Sequence, residues 1–183
     1  MKKVWKEIQG WGIAVVIGFV LSLFIGIFVI QPYKVEGHSM EPTLNDNQRI
    51  YAWKVSHALD KLPEYGDIVI IDSRVDRSRS FLDDLKEHPL IKLLSGGQEE
   101  EIFYVKRVIG LPGDTIEIKN GQVYRNGEAL QEPYIKERMN TGVEQVFEVP
   151  EDHIFVMGDN RNNSNDSRNI GPVPLDHVMG IDF

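Results

Sequence analysis

Three separated stretches hold the residues of this chain that could do chemistry. Gly37-His38-Ser39-Met40-Glu41-Pro42-Thr43 carries a serine in a short loop-like segment. A serine hydroxyl is a weak nucleophile and needs an adjacent base. Val105-Lys106-Arg107-Val108-Ile109-Gly110-Leu111-Pro112-Gly113-Asp114 offers a lysine among apolar neighbours. Lysine acts as a base only when its amine is neutral, and burial in apolar surroundings disfavours the ammonium. Gly158-Asp159-Asn160-Arg161, followed by Asn163-Ser164-Asn165-Asp166-Ser167-Arg168, is dense in hydrogen-bonding groups that could brace such a pair. The chemistry suggested is acyl transfer by a serine that a lysine activates.

Each stretch also has a plainer reading. Five histidines, His38, His57, His88, His153 and His177, could supply a conventional base. None stands in a recognisable triad context, and each reads as a surface residue. If residues 104–109 form a strand, Lys106 shares a face with Tyr104 and Val108, and Arg107 lies opposite with Ile109. A lysine on such a strand is ordinarily solvated. Gly37 permits close backbone approach two residues before Ser39, where N–H groups could form an oxyanion hole, but a simple turn explains it equally. The polar run from Asp159 fits a calcium loop poorly, since Arg161 stands where the EF-hand spacing needs an oxygen ligand. Asn162-Asn163-Ser164 and Asn165-Asp166-Ser167 match glycosylation sequons, a short pattern that is frequent by chance.

The elements that must position these residues begin with Trp11 to Ile30, an uncharged apolar run. As a helix it would span about 30 Å, the thickness of a bilayer core. Lys2, Lys3 and Lys6 precede it, which places the N-terminus in the cytoplasm. A cleavable signal peptide has a shorter apolar core followed by paired small residues. Gln31-Pro32-Tyr33-Lys34-Val35 supplies none, so the run reads as an uncleaved anchor. The expected organisation is a cytoplasmic segment 1–10, a transmembrane helix 11–30 and an extracytoplasmic domain 31–183, with 72–101 as a variable, solvated insertion.

The domain beyond the anchor reads as mainly β. Tyr33 to Val35 is an extended lead-in. Arg49–Trp53 alternates like a strand, and Asp67–Ile71 is an apolar run of strand length. Within 72–101, Phe81, Leu82 and Leu85 recur at helical spacing before Pro89, ahead of Ser95-Gly96-Gly97-Gln98 and the acidic Glu99–Glu101. Thr115–Lys119, Gln122–Arg125 and Glu128–Leu130 are joined by Asn120-Gly121 and Asn126-Gly127, strong hairpin signals that predict a three-stranded meander. Gln145–Val149 and His153–Met157 read as two more strands.

Composition narrows the function further. The chain has 183 residues and a net charge of −8, while its first 30 residues lean basic. The domain is therefore acidic, which argues against nucleic-acid binding. It contains no cysteine, which excludes disulfides, thiolate zinc sites and a cysteine nucleophile.

Taken together, the Ser-Met-x-Pro-Thr box, the Lys-Arg-x-x-Gly-x-Pro-Gly-Asp box and the Gly-Asp-Asn-Arg…Ser-x-Asp-Ser-Arg box, in that order behind an anchor, resemble the type I signal peptidases of compact Gram-positive form. The resemblance implies an antiparallel β-sheet catalytic domain, with Ser39 as nucleophile and Lys106 as general base. It implies that the Ser39 N–H serves the oxyanion and that Ser164 hydrogen-bonds and orients the Lys106 amine. It further implies an Asp166–Arg168 ion pair and an Arg107–Asp159 pair. The implied substrates are the signal peptides of secreted precursor proteins, cut after small residues of Ala-x-Ala type while bound extended along a strand edge. The implied enzyme acts as a monomer held in membrane lipid, with no metal or cofactor.

Gly37 cannot supply the serine hydroxyl that some relatives use as a second oxyanion donor. Relatives commonly add a strand after the counterpart of Gly180, so either a short C-terminal edge or a truncated sequence is expected. Two other classes compete with this reading. A Ser–Lys autoprotease of repressor type would lack the anchor. An inactive, membrane-anchored binding protein would not need Ser39 and Lys106 in matching boxes.

Overall fold

The computed structural model describes residues 2–54, 62–87, 91, 103–140 and 143–182. His57, His88, Ser95–Gln98 and Glu99–Glu101 lie outside these residues. The first element, α1 (Lys2–Phe28), is the one described helix long and apolar enough to cross a membrane. Its Gln9–Gly26 window has a mean hydropathy of 1.9, and none of that window is buried against the rest of the protein. A helix that is apolar all round and covered by nothing has lipid as its natural surroundings. Ile30, the last residue of the apolar run, already pairs with Trp53.

The chain then forms β1 (Ile30–Lys34), β2 (Arg49–Trp53), β3 (Ile68–Asp72) and, after the short helix α2 (Phe81–Glu87), β4 (Phe103–Gly110). The meander follows as β5 (Thr115–Lys119), β6 (Gln122–Arg125) and β7 (Glu128–Ala129). Beyond it come β8 (Gln145–Glu148), β9 (His153–Met157), the one-turn helix α3 (Ser167–Ile170), β10 (Val173–Pro174) and β11 (Val178–Asp182). All pairings are antiparallel. Seven strands run in the order β1-β2-β11-β3-β4-β9-β10, and four in the order β7-β6-β5-β8. The two hairpin turns have positive φ at Asn120, Gly121, Asn126 and Gly127, the conformation that matches strand twist and that Asn-Gly adopts at little cost.

Period-two alternation sorts the large sheet's side chains between layers. Val69, Ile71, Val108, Ile154, Val156, Val173 and Val178 cluster on one face. On the other, Ile50, Ala52, Ile70 and Met179 pack with Met40 and Leu44. The small sheet covers Ile109, Phe155 and Met157 with Ile116, Ile118 and Val123.

Three expectations need correction. The C-terminal strand is no edge: β11 lies inside the sheet, paired with β2 and β3. Gly180 hid this strand in the sequence, because glycine weakens a strand pattern. It sits at a shift of the β11–β3 register, with no room for a Cβ beside Ala52.

His177 is buried, not superficial, with Nδ1 against Asp176 and Nε2 3.1 Å from the Arg74 carbonyl oxygen.

The segment after β3 is not wholly solvated either. Asp72 is fully buried and binds Arg74 through Nε and Nη2 as well as Arg79. The chain thus folds back onto the end of β3 before Ser80 and Asp83 cap α2.

Candidate active site

Ser39 sits on the loop that joins β1 to β2. The ladder continues past the strands, with Val35 N–H donating to Gln48 O and Asn47 N–H to Val35 O, both at 2.8 Å. The intervening residues are therefore held at both ends. Gly37, at φ +86°, donates its N–H to Asp46 Oδ1 at 2.9 Å and closes the loop. Met40 and Leu44 are buried in the core. Burying such a side chain contributes about 1.5–3 kcal/mol, so the residue next to Ser39 is a strong anchor.

Lys106 sits on β4, opposite Val69 of β3. It is only 3% exposed. Its Nζ is 2.9 Å from Ser39 Oγ and 2.8 Å from the Val105 carbonyl oxygen. The Tyr104 ring centroid is 5.1 Å away. Burial disfavours the ammonium and pulls the Lys106 pKa down to about 8, against the opposing pull of Asp166 and Asp159. A neutral amine within hydrogen-bonding reach of a hydroxyl can take its proton.

The turn after β9 braces both residues. Asp159 forms a two-point ion pair with Arg107, Nε to Oδ1 at 2.9 Å and Nη2 to Oδ2 at 2.7 Å. Thr43, on the loop that carries Ser39, donates its hydroxyl to the same carboxylate. One buried carboxylate thus ties the serine loop to the strand that carries Lys106. Asp166 accepts from Arg168 through Nε and Nη2, both at 2.8 Å, and from Gly158 N–H at 2.9 Å. Burial pushes the Asp166 carboxyl up, but Arg168 and the Gly158 N–H outweigh this and hold it below its usual value.

Ser164 does not make the hydrogen bond to Lys106 that the resemblance implies. Its Oγ is buried with no described partner at hydrogen-bonding distance, yet lies close enough to the Asp166 carboxylate to help hold that group below its usual value. It packs instead against Gly158.

Arg161, which disqualified the calcium loop, is itself buried. It is paired with Glu132, and its Nε donates to Gly158 O at 3.0 Å. Among the described residues no cluster of His, Cys, Asp and Glu could hold a metal.

Sequence reasoning missed Thr43, Glu132, Tyr134 and the separate part played by Asn160. Tyr134 lies under the Arg107 guanidinium, 4.2 Å from ring centroid to Cζ, and its hydroxyl donates to Glu132. Thr43 and Asn160 lie inside the quoted boxes, so their positions were available, though their partners were not. Glu132 and Tyr134 lie in none, and no local pattern marks them.

A serine within hydrogen-bonding reach of a buried lysine whose pKa is drawn down is the arrangement of a serine hydrolase. The chain matches the family model described as "Signal peptidase, peptidase S26" over residues 8–183. It belongs to this family. It is 38% identical to Signal peptidase I of Bacillus licheniformis over 180 residues, covering 93% of this chain and 83% of the relative. To Signal peptidase I T of Bacillus subtilis (strain 168) it is also 38% identical, over 189 residues, covering 98% and 85%. A crystal structure of a signal peptidase I from Enterococcus faecalis V583 aligns at a TM-score of 0.44 with 31% identity, over 66% of this chain and 97% of that one.

Proposed function

We propose that this chain is a membrane-anchored serine endopeptidase that removes signal peptides from secretory precursors, with Ser39 as nucleophile and Lys106 as general base. The observation that carries the reading is the Lys106 Nζ to Ser39 Oγ separation of 2.9 Å, with the amine's pKa drawn down to about 8. As Ser39 Oγ bonds to the scissile carbonyl carbon, its proton passes to the Lys106 lone pair. The carbonyl oxygen becomes an oxyanion. The Ser39 N–H donates to no group among the described residues and is free to receive it. Lys106 then protonates the departing amine as the C–N bond breaks. Water, deprotonated by Lys106, opens the acyl ester, releases the signal peptide as a carboxylate and restores Ser39.

The sheet offers a place for the peptide. β4 pairs with β3 along residues 103–107 but with β9 only from Arg107 onward. The edge of 103–106 facing β9 is unpaired among the described residues and ends at Lys106. An extended substrate fits there as an added strand. The Tyr104 ring beside the amine favours small side chains next to the cut, the Ala-x-Ala pattern.

Asp159, Arg107, Asp166, Arg168 and Ser164 act as supports, the first four through their ion pairs and Ser164 through packing. The basic residues at the start of α1, ahead of its apolar run, favour a cytoplasmic N-terminus and put residues 31–183 outside, with 72–101 as the insertion. The domain acts as a monomer, held at the bilayer by α1.

An Ala-x-Ala precursor assayed with wild type, Ser39→Ala and Lys106→Met tests the reading. Both variants should fold and be inactive. Normal turnover by folded Ser39→Ala would remove the nucleophile assignment.

A further inference from the structure

The geometry points to Asn160 as the residue that aims the oxyanion donor, an inference that rests on Ser39 being the nucleophile. The Ser39 N–H and the His38 C=O belong to one peptide unit. That unit is planar and trans, so the two groups point in opposite directions. Whatever holds the His38 oxygen therefore fixes where the Ser39 N–H points. Asn160 Nδ2 donates to His38 O at 3.0 Å. The Asn160 backbone N–H donates to Ser39 O, also at 3.0 Å. The peptide planes on both sides of the Ser39 Cα are thus held by one residue, 122 positions away from His38 in sequence.

Asn160 is placed to do this rigidly. It is 4% exposed. Its neighbour Asp159 is locked to Arg107 of β4, and Gly158 is locked to Asp166. The contact therefore references the serine loop to the strand that carries Lys106. The other donor to His38 O is the Glu41 N–H at 3.3 Å, which belongs to the same loop and moves with it. Gly37 is tied to Asp46 through its own N–H, but that bond fixes the Glu36–Gly37 plane and not the His38–Ser39 plane. A hydrogen bond to the carbonyl also polarises the amide and strengthens its N–H as a donor. The carbonyl can only accept, so the NH2 of Asn160 must face it. Aspartate would set a carboxylate against it instead.

The test uses Asn160→Ala and Asn160→Asp in the full-length protein, both of which keep the backbone bond to Ser39 O. We expect kcat to fall about 10- to 100-fold, less than the roughly 100- to 1,000-fold for outright loss of an oxyanion donor. KM should change by no more than about twofold, because the group acts on the transition state. The acidic limb of the kcat/KM pH profile should keep its midpoint, since Lys106 is untouched. A substrate-like peptide aldehyde, whose adduct oxygen occupies the oxyanion position, should lose affinity by a factor comparable to that in kcat. An uncleavable peptide of the same sequence should bind as to wild type.

Unchanged kcat overturns the inference. So does a loss shared equally by the aldehyde and the uncleavable peptide, or one accompanied by a shifted pH limb. If neither variant folds, Asn160 serves the fold and the inference also falls. Ser39→Ala, assayed alongside, separates the two levels: activity there defeats the underlying reading, whereas an inactive Ser39→Ala beside an unimpaired Asn160→Ala defeats this inference alone.

Discussion

A Cβ placed on Gly158 would lie 2.5 Å from the carbonyl oxygen of Ser39. The serine loop seats against the turn after β9 only because residue 158 has no side chain. The requirement is close approach between two backbones, and it shares its space with the Ser164 side chain. Gly158→Ala should therefore push Ser39 away from Lys106. Precursor cleavage should fall at least about 100-fold, while stability drops by about 1–3 kcal/mol, the usual scale of overpacking. Denaturant melts and cleavage assays on the same preparation measure both. Full activity would mean that the loop relaxes without moving the hydroxyl.

The pH dependence of Lys106 should show in both rate and stability. With the neutral amine as the proposed base, kcat/KM should rise with pH through about 8 and level off above it. Burial lowers the folded pKa from 10.5 to about 8. Between those values the unfolded chain binds the proton and the folded one does not, so stability rises with pH across that window. Below it the penalty is fully present. Lys106→Met removes the penalty and should be more stable than wild type at pH 7, by an amount on the order of a few kcal/mol, although it should be inactive. The gap should narrow toward pH 10. A lower melting point, or a gap that ignores pH, would contradict the burial account.

Asp72 should behave in the opposite sense. Arg74 and Arg79 hold its carboxyl down to about 2, from 3.8, despite burial. Its contribution is present above the unfolded pKa and is lost as pH falls through about 2. Asp72→Asn leaves two arginines facing a neutral buried group and should cost about 3–5 kcal/mol. Cleavage well below the melting temperature should persist, since Asp72 ends β3, away from Lys106 on β4 and Ser39 on the β1–β2 loop. A variant as stable as wild type would make the segment after β3 the dispensable, solvated insertion that its charge suggests.

Orientation is open to direct measurement. Protease added to intact spheroplasts should degrade residues 31–183. A domain protected until lysis would reverse the proposed topology.

Much of this protein was legible locally. The anchor helix follows from an uninterrupted apolar run, and the meander from two Asn-Gly pairs between alternating strands. Both signals act over neighbouring residues, so no distant partner can overrule them cheaply. The three boxes named the residues of the site for the same reason: each is a short segment whose types survive without its context.

Contacts between segments were decided only in three dimensions. Ser39 and Lys106 are 67 residues apart, and it is the sheet order that brings them together. The drop in the lysine's pKa depends on summed desolvation, which no window of sequence contains. Nothing near Gly180 announced that β11 would insert between β2 and β3, because strand pairing is chosen by the edges left open elsewhere. The same holds for buried His177 and for the arginines around Asp72. Asn160 and Ser164 stand four residues apart in one box. Only the packing of the turn against the serine loop gives the first two carbonyls to hold and keeps the second's hydroxyl out of a hydrogen bond with Lys106.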